Sequence, residues 1–153
     1  RVLFRSGFVK IVDERHVAFG DLAGNNRIDS YRNLLQQSSI AMLFMIPGLE
    51  ETMRVNGTAS ISTDTEIRNL CTDGDRVPNL AIIVNVKTCF MHCGKALRRS
   101  DMWNISSWPS ADERPSGAEL LAAHIDEAEH VDAIATSLEE GYQATLWQPG
   151  GSS

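Results

Sequence analysis

No stretch of the 153-residue chain is long and apolar enough to cross a bilayer; the longest apolar run, Ile40 to Pro47, falls far short of the roughly 20 residues a spanning helix needs. No charged start followed by an apolar run marks a signal peptide either. Positive charge is scarce: 14 Lys and Arg stand against 20 Asp and Glu, for a net charge of -6. With a pI near 5.1, the chain lacks the broad basic face that a nucleic-acid backbone demands, although a small anion held by a few local arginines is compatible with it. The cysteines, Cys71, Cys89 and Cys93, are an odd set. In a chain large enough to build a core without staples, this argues against a disulfide framework and for reduced thiols in a cytoplasm. A Ser/His/Asp arrangement, a Walker loop and a carboxylate pair are all missing, so hydrolase and phosphotransferase readings lack support. Chemistry would have to be a cofactor's.

What is present is enough apolar material, 42% of residues, for one ordinary core. The chain has no starting Met, and Leu3-Phe4-Arg5-Ser6 reverse-translates as CTC-TTC-CGA-TCT, which resembles the end of a common sequencing adapter. Residues 1–6 are therefore read as an artefact on a gene fragment assembled from environmental reads. Residues 7–147 are read as one N-terminally truncated domain and 148–153 as a frayed tail.

From Gly7 the pattern is β-rich. Phe8 to Val12 and His16 to Gly20 read as a hairpin turned at Asp13-Glu14-Arg15. Ile28, Tyr31, Leu34 and Leu35 recur at helical spacing up to Gln37, and Ile40 to Ile46 reads as a buried strand. Thr52 to Ser62 alternates as a long strand, with a bulge or kink expected at Asn56-Gly57. Thr63 and Glu66 are expected to cap a short helix through Leu70, ahead of a strand from Leu80 to Phe90. A helical segment after Gly94 and an irregular crossover to Pro115 precede two helices, the first capped by Ser116 with Glu119 and the second by Asp126 with Glu129. Val131, Ile134 and Leu138 form the buried stripe of the second. The order predicts an α+β domain, or a β-barrel with helical additions.

The segment Gly24-Asn25-Asn26-Arg27-Ile28-Asp29-Ser30 is a flexible loop feeding a helix start. Such a start presents unpaired N–H donors to a phosphate, with Arg27 as a charged clamp and Ser30 as a hydroxyl. Asn25 or Asn26 capping the helix, with Arg27 and Arg32 solvated, accounts for the same residues. Cys89, His92 and Cys93 make a poor metal site, because strand alternation sets His92 opposite the cysteines; no metal is expected.

Gly24 to Leu35, "LFMIPG" within Met42 to Gly48, "ETMRVNG" from Glu51 to Gly57, and the run from His92 to Trp103 occur in register. Together they resemble the pyridoxamine 5'-phosphate oxidase superfamily, above all a bacterial subgroup of uncharacterised oxidase-related proteins, from Gly7 to Trp147. The resemblance implies an antiparallel FMN-binding split β-barrel of Greek-key type with C-terminal helices, working as a cytoplasmic homodimer with FMN at the subunit interface. It implies an FMN-dependent oxidoreductase acting on a small-molecule substrate or reductant, with no nucleic-acid or membrane partner. A non-enzymatic flavin- or haem-binding module on the same fold is the alternative. By the same resemblance, Asn26, Arg27 and Ser30 would hold the FMN phosphate and Thr52 and Arg54 would face the isoalloxazine. Lys95, with Arg99 and Trp103, would line the flavin or substrate cleft. The chain departs from the oxidases where they carry an Arg-Lys pair, since Asp29-Ser30 stands there, and where they carry a Gln, since Thr52 stands there. The oxidases' C-terminal strand with its substrate-contacting Arg and His has no counterpart, which makes pyridoxamine phosphate oxidation itself a poor expectation.

Overall fold

The structure is a computed structural model that describes residues 7–21 and 28–145. The segments 1–6, 22–27 and 146–153 lie outside the described residues, and with them the expectations placed on Asn26 and Arg27. The chain divides into two compact units, one of described residues 7–21 and 28–103 and one of described residues 104–145.

In the first unit, β1 (Lys10–Ile11) and β2 (His16–Gly20) form the expected hairpin, though β1 is shorter than the apolar pattern suggested. Asp13 builds its turn: one carboxylate oxygen accepts from the backbone N–H groups of Arg15 at 2.8 Å and His16 at 2.9 Å. These bonds hold the Asp13 carboxyl below its usual pKa, and the His16 side chain lowers it further. There follow α1 (Asp29–Gln36), β3 (Ser39–Phe44), β4 (Thr52–Ser62), α2 (Thr65–Leu70), β5 (Ala81–His92) and α3 (Lys95–Arg99). The strands form one antiparallel sheet in the order β1-β2-β5-β4-β3. Strands β3, β4 and β5 are successive neighbours and β2 lies beside β5, the order of a Greek key. Among the described residues, β1 and β3 are the edges of this sheet.

Two expectations need correction here, and a third is met. The helix α2 is capped by Asp64, whose Oδ1 accepts from Glu66 N at 2.9 Å and Ile67 N at 3.1 Å, so Thr63 stands one residue too early for the role. Strand β3 is not buried: Ala41 and Leu43 are exposed while Ile40, Met42 and Phe44 are half-buried. An edge strand with one face on the core reads as a continuous apolar run, yet shields only alternate side chains. The expected bulge is present. Asn56 pairs with Thr88 and Gly57 with Val86, so the register shifts between Asn56 and Gly57, and the extra residue is Lys87 on the partner strand β5.

Gly57 makes that slip feasible, because a Cβ there would sit 2.1 Å from the Asn85 carbonyl oxygen. The core lies on one face of the sheet, where Phe8, Phe19, Ala59, Ile82 and Val84 are buried and Tyr31 and Leu34 of α1 pack onto them. Full burial of side chains such as Ile82 and Val84 contributes about 1.5–3 kcal/mol each. The Tyr31 hydroxyl donates to Asp21 and ties α1 to the end of β2. On the opposite face, α2 covers Ala18 and Ala81 with Cys71 and Ile67.

The second unit contains α4 (Gly117–Ile125) and α5 (Val131–Thr145), preceded by 3-10 turns at Ile105–Ser107 and Ala111–Glu113. The expected Ser116/Glu119 capping box is present: Ser116 N donates to Glu119 at 2.6 Å, and Glu119 N to Ser116 Oγ at 3.1 Å. Ala118 and Ala122 are buried, and on α5 the expected stripe Val131, Ile134 and Leu138 is half-buried. Asp126 does not cap α5. It ends α4 in the left-handed conformation at φ 59°, and a further 3-10 turn at Ala128–His130 precedes α5. Among the described residues, no helix is long and apolar enough to cross a membrane.

Candidate functional site

Within the first unit, the sheet face opposite the Phe19–Val84 core carries an open cleft of about 650 Å³. Register explains its composition. Thr52, Arg54 and Asn56 alternate onto one face of β4. Directly beside them stand Leu43 and Ala41 of β3 and His92, Phe90 and Thr88 of β5. Because Lys87 is skipped, Thr88, Phe90 and His92 share this face although Val84, on the other side of the bulge, faces the core. Phe90 and His92 are in ring contact, with centroids 5.1 Å apart.

The far wall is α3. Lys95 and Arg99, one turn apart, both line the cleft, and neither has an ion-pair partner among the described residues. The segment between β3 and β4 is fastened to this helix. Arg98 donates from Nε to Glu50 Oε2 at 2.8 Å and from its terminal nitrogen at 2.6 Å. Trp103 Nε1 donates to the Leu49 carbonyl at 2.8 Å. Glu50, the acidic group in the lining, is thus engaged. Arg54 donates through Nε to Asn56 Oδ1 at 2.9 Å, and Asn56 Nδ2 donates to Thr88 Oγ1 at 3.0 Å. The result is a cationic floor and rim against an apolar wall of Ala41, Leu43 and Met45, in a chain of net charge -6. Such a surface suits a flat, partly apolar ligand with negative charge.

Of the described site residues expected from sequence, Thr52, Arg54 and Lys95 come together in this cleft. Ser30 does not join them. It is exposed in the first turn of α1, which packs on the other, core-bearing face of the sheet; Asn26 and Arg27 lie outside the described residues. Arg99 lines the cleft, whereas Trp103 acts behind it on the Leu49 carbonyl. Leu43, Met45, His92 and Cys93 are lining residues that sequence reasoning did not select. Alternation separates His92 from Cys89, which pairs with Val55 on the other face, but Cys93 follows the end of β5 and reaches the cleft with His92. Among the described residues, the one group of three metal-ligating side chains within 4.8 Å of one another is elsewhere, at Glu127, Glu129 and His130.

No family model matches the chain, and no curated protein matches it significantly. Solved structures similar to it include HupZ of Group A Streptococcus, at 17% identity and TM-score 0.46 over 55% of this chain and 68% of that one. The H111A variant of HupZ is similar at 20% identity and TM-score 0.45, over 56% of this chain and 73% of that one. A candidate pyridoxamine 5'-phosphate oxidase from Lactobacillus delbrueckii is similar at 20% identity and TM-score 0.40, over 55% of this chain and 68% of that one.

Proposed function

We propose that the protein is an FMN-binding flavoprotein of the split-barrel type that works as a homodimer, and that it is an oxidoreductase. The observation that carries this reading is the convergence of Thr52, Arg54 and Lys95 on one cleft with an apolar wall. The motif resemblance had given all three positions to the cofactor or its substrate. The cleft's volume of about 650 Å³ falls in the ordinary range for sites of small molecules and cofactors. Its chemistry fits the ring system: Leu43 and Met45 offer apolar contact, and Thr52 a hydroxyl. The unpaired cations favour negative charge on a reduced cofactor or an anionic substrate. FMN, when bound, would supply the electron-carrying chemistry, while the chain binds, orients and limits water.

Ser30 and the cleft occupy opposite faces of one protomer's sheet. In a two-fold dimer, the phosphate-holding helix start of one protomer and the cleft of the other would complete each site. Leu43, 58% exposed on edge strand β3, and Ile46, 59% exposed just beyond it, are apolar surface that such a partner would cover.

Titration of FMN and riboflavin, followed by flavin fluorescence, tests the reading. Arg27→Ala is expected to weaken FMN by about ten- to a hundred-fold with little effect on riboflavin. Arg54→Ala, at the ring, should weaken both. Reoxidation of the bound flavin under NADH or NADPH would establish turnover, and a wild-type protein that binds neither ligand would overturn the proposal.

His92 and Cys93 in the cleft favour a second reading, since both side-chain types ligate haem iron. A non-enzymatic haem-binding module would give a Soret band on haemin titration that His92→Ala shifts or abolishes.

A further inference from the structure

Arg54 stands on β4 between two apolar cross-strand neighbours, Leu43 on β3 and Phe90 on β5. Neither can accept a hydrogen bond, so nothing directly beside it holds the guanidinium. The acceptor comes from its own strand, two residues on: Asn56 Oδ1 takes the Nε–H at 2.9 Å. Asn56 is in turn held by its amide, which donates to Thr88 Oγ1 at 3.0 Å. Thr88 is available because β5 skips Lys87 in the pairing, which sets Thr88 opposite Asn56, and because Gly57 lets the two backbones approach.

We infer that Asn56, braced by Thr88, is a positioning residue that fixes the Arg54 guanidinium over the cleft floor. With Nε occupied, Arg54 meets the anionic part of a ligand through its two terminal amino groups. The guanidinium is a rigid fork, so occupying one edge selects the other, and a side chain held by a bond loses less rotamer freedom when the ligand arrives. The inference uses the FMN reading for one arm of its test and stands without it in the other.

The ligand-free arm is solvent exchange of the Arg54 Nε–H in the 15N-labelled full chain, assigned by its loss in Arg54→Lys. The wild type should show a protected Nε–H. Asn56→Ala should abolish the protection, Thr88→Val should reduce it, and Asn56→Asp, which keeps the acceptor, should retain it. The binding arm is FMN titration. Asn56→Ala should weaken FMN by about three- to ten-fold, and by nothing further in an Arg54→Ala background. Asn56→Asp should also weaken it, because the new carboxylate neutralises the guanidinium while leaving it in place. An Nε–H that exchanges equally fast in wild type and Asn56→Ala overturns the relay, as does an Asn56→Ala loss that persists in full without Arg54. A wild type that binds no FMN defeats the functional reading, and the exchange arm alone then decides the relay. Should Asn56→Ala fail to fold, Thr88→Val carries both arms.

Discussion

The backbone at Gly94 lies so close under Glu50 that a Cβ added to Gly94 would come within 2.6 Å of the Glu50 Cβ and 3.2 Å of its carbonyl carbon. The segment between β3 and β4 is therefore seated on the start of α3 by shape as well as by the Glu50–Arg98 ion pair. The two contributions differ in size. Arg98 is 76% exposed in that pair, and surface ion pairs are worth roughly 0–1 kcal/mol. A methyl group driven into backbone costs about 1–3 kcal/mol. Gly94→Ala should thus lower the urea midpoint more than Arg98→Ala does, and should shift Trp103 emission by disturbing its bond to the Leu49 carbonyl. Equal midpoints for the two variants would show that the fit at Gly94 is loose.

At Gly57 the obstruction is harder, since a Cβ would meet the Asn85 carbonyl oxygen at 2.1 Å and its carbon at 3.0 Å. Backbone cannot swing aside like the tip of a side chain. Gly57→Ala is expected to destabilise by about 2–4 kcal/mol in chemical denaturation. Gly141, inside α5 with nothing within 4 Å of an added Cβ, supplies the opposite case. There Gly→Ala should stabilise by about 0.5–1 kcal/mol, the helix-propensity difference. A neutral Gly57→Ala would mean that the β4/β5 pairing is free to slide.

The three thiols should react in two classes. Cys71 is 3% exposed against Ala18 and Ala81, and burial pushes its pKa up, so little thiolate is present at neutral pH. Cys89 and Cys93 are exposed. Titration with a chromogenic disulfide under native conditions should release two equivalents quickly and the third only on unfolding; three fast equivalents would contradict the burial of Cys71.

Acid should loosen α4 through Glu119. Its carboxylate accepts from Ser116 N at 2.6 Å, and this backbone hydrogen bond, followed by the bond to the Ser116 side chain, holds its pKa below the ordinary 4.5. A carboxylate with a depressed folded pKa contributes stability above its unfolded pKa and loses it as pH falls through the folded value. Wild-type α4 should therefore weaken below about pH 4.5, and Glu119→Gln should flatten that dependence in circular dichroism. Ser116→Ala should cost about 1 kcal/mol at neutral pH through loss of the cap.

Much of this architecture is local chemistry and so could be read along the chain. The Asp13 turn, the alternation of Thr52 to Ser62 and the Ser116/Glu119 box each involve residues close in sequence. Position in the sheet could not be read that way. Ile40 to Ile46 spells a strand, but whether its second face is covered depends on β3 being at an edge, which only the pairing of all five strands decides. Asp126 could begin one helix or end another, and its positive φ settled which. In the cleft, Thr52 and Arg54 were legible because β4 is regular there, whereas His92 was not, because its face depends on the one-residue slip at Lys87.

That slip makes the face of β5 a matter of counting. Deleting Lys87 would remove the extra residue and leave a ladder of ordinary alternation in which Thr88, Phe90 and His92 keep their partners Asn56, Arg54 and Thr52, and with them their face. Pairing Lys87 with Asn56, so that the skip is lost, would instead turn every later side chain over: Thr88, Phe90 and His92 would point toward the core, and Lys87, Cys89 and Met91 would enter the cleft. That slide would keep the strand order while the lining changed from hydroxyl, aromatic ring and imidazole to an ammonium and two sulfur-bearing side chains. Lys87 is thus a spare residue in the strand: descendants of this chain could lose its codon and keep both scaffold and cleft lining, whereas holding the residue and sliding the ladder would exchange the lining in one step.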